Sequence, residues 1–553
     1  MPPANSTGFA SILLGTPSGG GTGIPISEVT RTWYHGLYLQ DDWKATRKLT
    51  LNLGLRWEIQ RPVRERFNRQ AYFDYNAVNP ISAAVGQTLR GELKFNTSSN
   101  RDLWNTDYKN FAPRFGFAYQ LMPKLVMRGG YGIFYPASYR SYGPAPGFTS
   151  ATPFISSTNG GLNPNQTLSN AFSGGLIPVT GSALDGLTNV GFTTTAVSPN
   201  RKAAYVQQWM YGFQYAPTAN DVLDITYVGN HGIHMISDTI NRNQLDPKYF
   251  SMGSALMNPV PNPFFNHIAA SGCNGYDLSA ATVPQGALLR PYPQFCDINE
   301  SQDPVGFSHY NALEANYTHR VSQGLTLLAS YTFSKFIDDV GGANNWASAS
   351  ANFSTNIRNI YNLAAEKSVD ATDVPHSLVL SYVYEIPLGK SRKFGSGMSG
   401  VLNAVVGGWQ TSGIATFKQG FPLTIAPPPL PNGVNYFGAG QHIDIIGDYH
   451  VAHPDRTEWF NAAAFAQPAN WSLGNSPRYL SDLRAPGYNN WDLSIQKYFP
   501  IEETVRLQFR LDMFNAFNHT NYYKPNTSFG AGLGTINSAF SPRLMQAALK
   551  IYW

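Results

Sequence analysis

The chain has 553 residues, of which 13% are charged and 14% aromatic, with a net charge of +5 and a mean hydropathy of −0.25. Roughly a quarter of an average soluble domain is charged, so this is a poor composition for a water-facing surface. No run approaches the roughly 18 apolar residues of a membrane helix, and the scattered Lys and Arg form no basic stripe for nucleic acid.

The N-terminus reads MPPANSTGFASILLGTPSGGG. It lacks a basic n-region, and its apolar piece, Phe9 to Leu14, is too short for a signal-peptide core, so no export signal is read there. From Trp33 a two-residue alternation sets in, the spacing of a strand with one apolar and one polar face. Tyr34 to Trp43 is the first predicted strand. Leu49 to Glu58 is the clearest, with Leu49, Leu51, Leu53, Leu55 and Trp57 on one face and Thr50, Asn52, Gly54, Arg56 and Glu58 on the other. Pairs of such segments follow: Ala112 to Gln120 with Leu125 to Phe134, Tyr205 to Tyr215 with Val222 to Gly229, and Tyr310 to Arg320 with Leu325 to Lys335. Ser377 to Ile386 pairs with Trp409 to Leu423, and Trp491 to Phe499 with Val505 to Phe517. The last strand, Pro542 to Trp553, sets Ala547, Leu549, Ile551 and Trp553 against Gln546, Ala548, Lys550 and Tyr552.

These are about thirteen strands of about ten residues, the length that a tilted strand needs to cross a bilayer. Their connections alternate between two kinds. One is short and polar, except Pro387 to Gly408; the other is long and rich in Gly, Pro, Asn and Ser. The fold class implied is all-β: an antiparallel transmembrane β-barrel with short periplasmic turns and long extracellular loops. Bacterial single-chain barrels have even strand numbers. An odd count beginning in a long loop makes residues 1–32 the expected remnant of an extracellular loop and 33–553 a partial barrel.

Several stretches, in order, resemble the C-terminal barrel region of Oar-like TonB-dependent transporters. They are GFASILLGTP (Gly8 to Pro17), GLYLQDDWKATRKLTLNLGLRWE (Gly36 to Glu58), APRFGFAYQ (Ala112 to Gln120) and VMRGGYGIFY (Val126 to Tyr135). LRPYPQF (Leu289 to Phe295), SYTFSKFIDD (Ser330 to Asp339), DVPHSLVLSYVYEIPLGK (Asp373 to Lys390), DLRAPGYNNWDLSIQKYF (Asp482 to Phe499) and LQFRLDMFNAFNHTNY (Leu507 to Tyr522) continue the series. The resemblance implies a barrel of about 22 strands, of which this chain supplies the last thirteen or so, with an N-terminal plug and a TonB box that the chain lacks. It implies an outer-membrane receptor that binds an unidentified ligand at its external loops for energy-coupled passage. Its partners would be outer-membrane lipid, the TonB complex and the barrel-assembly machinery, for which Ala547, Leu549, Ile551 and Trp553 resemble the C-terminal signal. A passive porin or surface adhesin is the alternative, and a secreted β-rich enzyme is a third class.

Charged residues on the polar strand faces are the candidate contacts for a plug or substrate: Arg56, Arg114, Arg128, Asp224, Glu314, Arg506, Arg510 and Asp512. A solvated or mutually paired barrel wall is the plainer reading of any one of them. Cys273 and Cys296 share one irregular segment, which fits a single bridge in an oxidising compartment, with two unpaired thiols as the alternative. Gly395 to Gly400, GSGMSG, matches G-x-G-x-x-G but lies between antiparallel strands rather than in a βαβ unit, and is read as a flexible turn. His442, Asp444, Asp448, His450, His453 and Asp455 crowd one external loop without the spacing of a metal cage. His231 and His234 are read as rim residues at the outer end of a strand. No nucleophile elbow, H-E-x-x-H or paired-cysteine motif is present. The sequence calls for no catalytic residue, metal or cofactor.

Overall fold

The computed structural model describes the chain except for residues 1–9, 18, 25, 137–144, 158–162, 238, 302, 321–323, 340–356, 391, 429–432 and 503. Its main feature is a 14-stranded sheet. Thirteen of the strands run in chain order: β1 (Tyr34–Trp43), β2 (Leu49–Gln60), β3 (Phe111–Met122), β4 (Leu125–Phe134), β5 (Tyr205–Tyr215), β6 (Asp221–Met235), β7 (Gly306–Arg320), β8 (Leu325–Asp338), β9 (His376–Glu385), β10 (Trp409–Lys418), β11 (Tyr488–Pro500), β12 (Arg506–Phe514) and β13 (Leu544–Tyr552). Each pairs antiparallel with the next, so the sheet is a plain meander without crossovers. The remaining strand, Ser368–Val369, pairs with the outer end of β8. Among the described residues β1 and β13 pair with one neighbour each and not with one another.

The register carries the alternation from strand to strand. Leu55 faces Pro113, Phe213 faces Ile225, Leu313 faces Phe333, and Leu511 faces Ala547, so the apolar residues gather on one side of the whole sheet. Strand glycines on that side are roofed by aromatic rings from the residue paired with them. A Cβ on Gly129 would lie 2.3 Å from the Phe117 ring, one on Gly229 2.4 Å from Trp209, and one on Gly413 2.8 Å from Tyr382. The rings restore the apolar cover that a missing side chain removes.

The buried core is elsewhere. The largest fully buried side chains include Phe73, Phe264, Phe295, Phe437, Phe460 and Leu245, all in long connections. One cluster joins Leu423, Ile443, Phe460, Phe465, Leu480 and Leu533; another joins Phe73, Leu93, Ala196, Phe295 and Ile298. A third, with Phe264, Ile268, Leu278 and Val283, includes Cys296. The structure joins Cys296 to Cys273 in a disulfide with the Cα atoms 4.9 Å apart. Closing a loop of this length constrains the unfolded chain by roughly 3 kcal/mol. Reduction is therefore expected to speed hydrogen exchange across residues 260–300 and leave β1–β13 unchanged, a difference that exchange mass spectrometry resolves.

Four sequence expectations shift. β10 stops at Lys418, and Pro422–Leu423 forms a separate short strand against Leu480–Arg484. The break is at Gly420, where the backbone meets Ala485 so closely that a Cβ would sit 1.8 Å from its carbonyl oxygen. β6 runs on to Met235 because β7 offers it partners as far as Gly306. β12 ends at Phe514, where Asn515 turns into the left-handed region at φ 49°. The turn containing Gly395 to Gly400 leads into a short helix, α1 (Gly400–Val406), with the Ser399 side chain accepting from the Leu402 amide.

Candidate ligand path: the polar sheet face and its loop cap

All eight candidate charges lie on the polar face. Gly54 pairs with Arg114, Arg128 with Gly212, Gly212 with Thr226, Thr226 with Glu314, and Gln496 with Arg510, which puts them in one continuous row system opposite the apolar side. Five of the eight are occupied by one another or by neighbours of opposite charge. Arg56 Nε donates to Glu58 at 2.8 Å and its Nη2 to the Tyr34 hydroxyl at 2.7 Å. Arg128 pairs with Asp224 across the sheet, and Arg510 Nε donates to Asp512 at 2.8 Å. The other three have no carboxylate or cationic partner among the described residues. The Arg114 guanidinium lies over the Phe134 ring at 4.7 Å, Arg506 over Tyr498 and Tyr552 at 5.3 and 5.2 Å, and Glu314 stands between Thr226 and Thr332. Arg114, Glu314 and Arg506 are thus the three of the eight without an ion pair among the described residues.

Beside Arg114 the wall is low. Gly116 pairs with Gly130, and Gly54 lies one strand over. A Cβ on Gly116 would meet nothing nearer than Asn52 at 3.6 Å. Unlike the glycines of the apolar face, these have no ring above them. An uncovered glycine floor lets a backbone approach closely. The signal was available as Gly at alternate positions of APRFGFAYQ and VMRGGYGIFY, but only the cross-strand register shows that the gaps adjoin.

The long connections at the outer ends of the strands are tied by buried polar groups. Asn243 donates to the carbonyls of Tyr292, Phe295 and Cys296, each at 3.0 Å, and Arg290 donates to Asn243 O at 2.6 Å and to Asp297 at 2.5 Å. The LRPYPQF stretch is therefore an internal knot. Asp373, from the DVPHS stretch, accepts from the Phe336 amide at 2.6 Å and from Arg484, of the DLRAPGY stretch, at 2.6 Å. Asp338, three residues past the Lys335 at which periodicity ends this strand, is the last residue of β8 and is buried against Arg478. Arg358 donates to Glu366 at 3.2 Å and to the carbonyls of Ala365, Gly474 and Ser476 at 2.8, 3.0 and 3.2 Å.

The histidines of this region are not gathered. His442 is buried, with Nδ1 at 2.9 Å from Ser476 O and Nε2 at 3.6 Å from Glu366. His450 pairs with Asp448 at 2.8 Å and with Asp482 at 3.5 Å, while Asp455 accepts from the Thr457 amide at 2.6 Å. No group of three or more His, Cys, Asp or Glu among the described residues is placed to hold a metal ion. His231 and His309 face each other across β6 and β7 at 3.3 Å, and His234 lies near the outer end of β6.

Asp339, just past β8, is buried, and loss of solvent pushes its carboxyl up to about 6, with Asp338 beside it adding to the rise. Its oxygen accepts the Phe307 amide at 2.8 Å. The folded value exceeds that of the unfolded chain, about 3.9, so folding takes up protons. Its contribution is most favourable below the unfolded value and is lost as pH rises through about 6. Asp339→Asn, which keeps the acceptor, is expected to flatten the fall in thermal stability between pH 4 and 7, as read by melting curves across that range.

A model for the outer membrane beta barrel domain matches residues 2–546. The chain belongs to this family. As an outer membrane beta barrel domain it lies in the outer membrane, with the apolar sheet face against lipid. No helix among the described residues is long and apolar enough to cross a membrane. No curated protein matches the barrel domain. Solved structures similar to it include the ferripyoverdine receptor of the outer membrane of Pseudomonas aeruginosa, at 11% identity and a TM-score of 0.39 over 95% of this chain and 39% of that one. The ferric yersiniabactin uptake receptor FyuA from Yersinia pestis is similar at 8% identity and a TM-score of 0.39, over 97% and 47% of the two chains. The ferric citrate transporter FecA is similar at 11% and 0.38, over 96% and 46%. The barrel domain thus spans less than half the length of each of these.

Proposed function

We propose that this barrel domain is part of a TonB-dependent, Oar-like receptor that takes a ligand at its external loops and passes it inward using TonB-coupled energy. In this reading residues 33–553 are the C-terminal part of the receptor barrel and 1–32 belong to an extracellular loop. The observation that carries it is the polar face: among the described residues Arg114, Glu314 and Arg506 have no counter-charge, and Arg114 adjoins a glycine floor that no ring covers at Gly54, Gly116 and Gly130. A wall made only to be solvated has no need of either, whereas a plug or passing ligand supplies what both lack. Arg510 is committed to Asp512 and has a lesser part. The packed loop cap supports capture of a ligand over random loop contact, because shaped sites need rigid walls. Ala547, Leu549 and Ile551, on the apolar face of β13, with Trp553 just beyond it, would be read by the barrel-assembly machinery.

The test is photocrosslinking from Arg114, Glu314 and Arg506, each replaced by a photoreactive residue, in the intact receptor. Capture of a plug segment N-terminal to this chain is the expected result. Crosslinks confined to the barrel itself would overturn the reading in favour of a passive barrel.

A further inference from the structure

Five connections at the short-turn end are brief, but the one between β9 and β10 is long and contains α1. It does not hang free. Lys497 of β11 projects from the apolar side, in register with Trp409 and Phe509, yet is only 3% exposed. Its Nζ donates to the carbonyls of Ala404 and Val405 at 2.6 and 3.2 Å, and the Trp409 indole donates to Val405 O at 2.9 Å. A lysine on a lipid-facing wall is costly; here it satisfies the open carbonyls at the helix C-terminus instead. The helix is thereby pinned to the side of the sheet that meets lipid.

What α1 turns away from the sheet is apolar. Val401, Leu402 and Val405 are 79%, 49% and 64% exposed, and no residue of the helix is buried. The turn leading into it exposes Lys390, Arg392 and Lys393 beside Phe394. The Asn403 side chain accepts from the Lys390 amide at 2.7 Å, which fixes the basic turn to the helix. Of these cations only Arg392 has a carboxylate partner among the described residues, Glu385 at 3.0 Å.

We propose that this segment is an interfacial anchor, with α1 and its basic turn seated in the anionic phospholipid headgroup layer at the short-turn rim of the barrel. Two observations select lipid as the occupant. The apolar patch is continuous with the lipid-facing band through Trp409 and Phe499, whose rings flank the Lys497 ammonium at 5.6 and 5.0 Å. The cations next to it complement phosphate, as in amphipathic helices that lie in the plane of an interface. The anchor rests on the outer-membrane location and is independent of TonB coupling.

The experiment places a bimane label on Val401→Cys and Val405→Cys in the full chain, in vesicles of phosphatidylethanolamine and phosphatidylglycerol. Ala219→Cys, in the short β5–β6 turn, is the water-exposed reference, and readings are made on preparations in which a label at Leu313→Cys is quenched by deep-brominated lipid. Lipids brominated near the headgroup are expected to quench the α1 labels severalfold more than the reference. Replacing Lys390, Arg392 and Lys393 together by Gln is expected to reduce that quenching about twofold in phosphatidylglycerol-containing vesicles. Iodide quenching of the α1 labels equal to the reference would overturn the proposal by placing the helix in water. Shielding from both quenchers would overturn it in favour of a second copy or another protein, and no change in the triple variant would overturn the role of the cations.

Discussion

Leu313→Arg is expected to destabilise the sheet by about 2–4 kcal/mol in a bilayer, while Glu314→Gln, one residue on, costs little. Leu313 lies in the middle of β7 on the apolar face, between Tyr227 and Phe333. An arginine there meets hydrocarbon on one side and aromatic neighbours on the other, with no carboxylate within the register. Glu314 lies on the polar face between two threonines and has no ion pair among the described residues to lose. Urea unfolding in lipid vesicles, followed by tryptophan fluorescence, measures both variants. Similar costs for the two would refute the assignment of faces on which the path and the anchor both depend.

Arg358→Ala is expected to cost about 3–5 kcal/mol, the range for breaking a buried ion pair by removing one partner, and the loss should be confined to the loop cap. Glu366 is fully buried and would be left without its guanidinium, and the carbonyls of Ala365, Gly474 and Ser476 would lose a donor. Faster exchange and protease cutting are expected in residues 357–376 and 433–487, with β1–β13 still protected. Arg392→Ala removes a pair of similar length to Glu385, but both side chains are nearly half exposed, and such pairs contribute roughly 0–1 kcal/mol. If the two variants open the cap equally, Arg358 is not its clamp.

The strands were legible because each needs only its own alternation. Tyr34–Trp43, Leu125–Phe134 and Tyr205–Tyr215 have the bounds read from their periodicity, since lipid and lumen impose a period of two whatever the neighbours are. Boundaries set by a distant contact were not legible. The end of β10 depends on Ala485 approaching Gly420, and the length of β6 on how far β7 accompanies it. The long connections read as irregular, yet they hold the buried core, because phenylalanines such as Phe73 and Phe295 come from segments far apart and follow no local period. Likewise LRPYPQF marks a structural knot: its arginine is consumed by Asn243 and Asp297, which periodicity does not bring near it.

The candidate site divides along the same line. Alternation was enough to put Arg56, Arg114, Arg128, Asp224, Glu314, Arg506, Arg510 and Asp512 on the polar face, because side-chain direction in a strand follows from parity alone. It could not say which of them are already paired. That needed the tertiary structure, which joins Arg128 to Asp224 across β5 and sets Arg114 between Gly54, which no ring covers, and Gly132, which lies under the Phe134 ring. By itself, then, the sequence determined a lipid-facing sheet of about thirteen antiparallel strands with long loops at one end, since local periodicity and loop length encode those. Only the tertiary structure decided which charges are paired with one another, where the loops bury their core, and that Lys497 holds a helix against the outer wall. These depend on groups remote in sequence meeting in space, and no local pattern records such meetings.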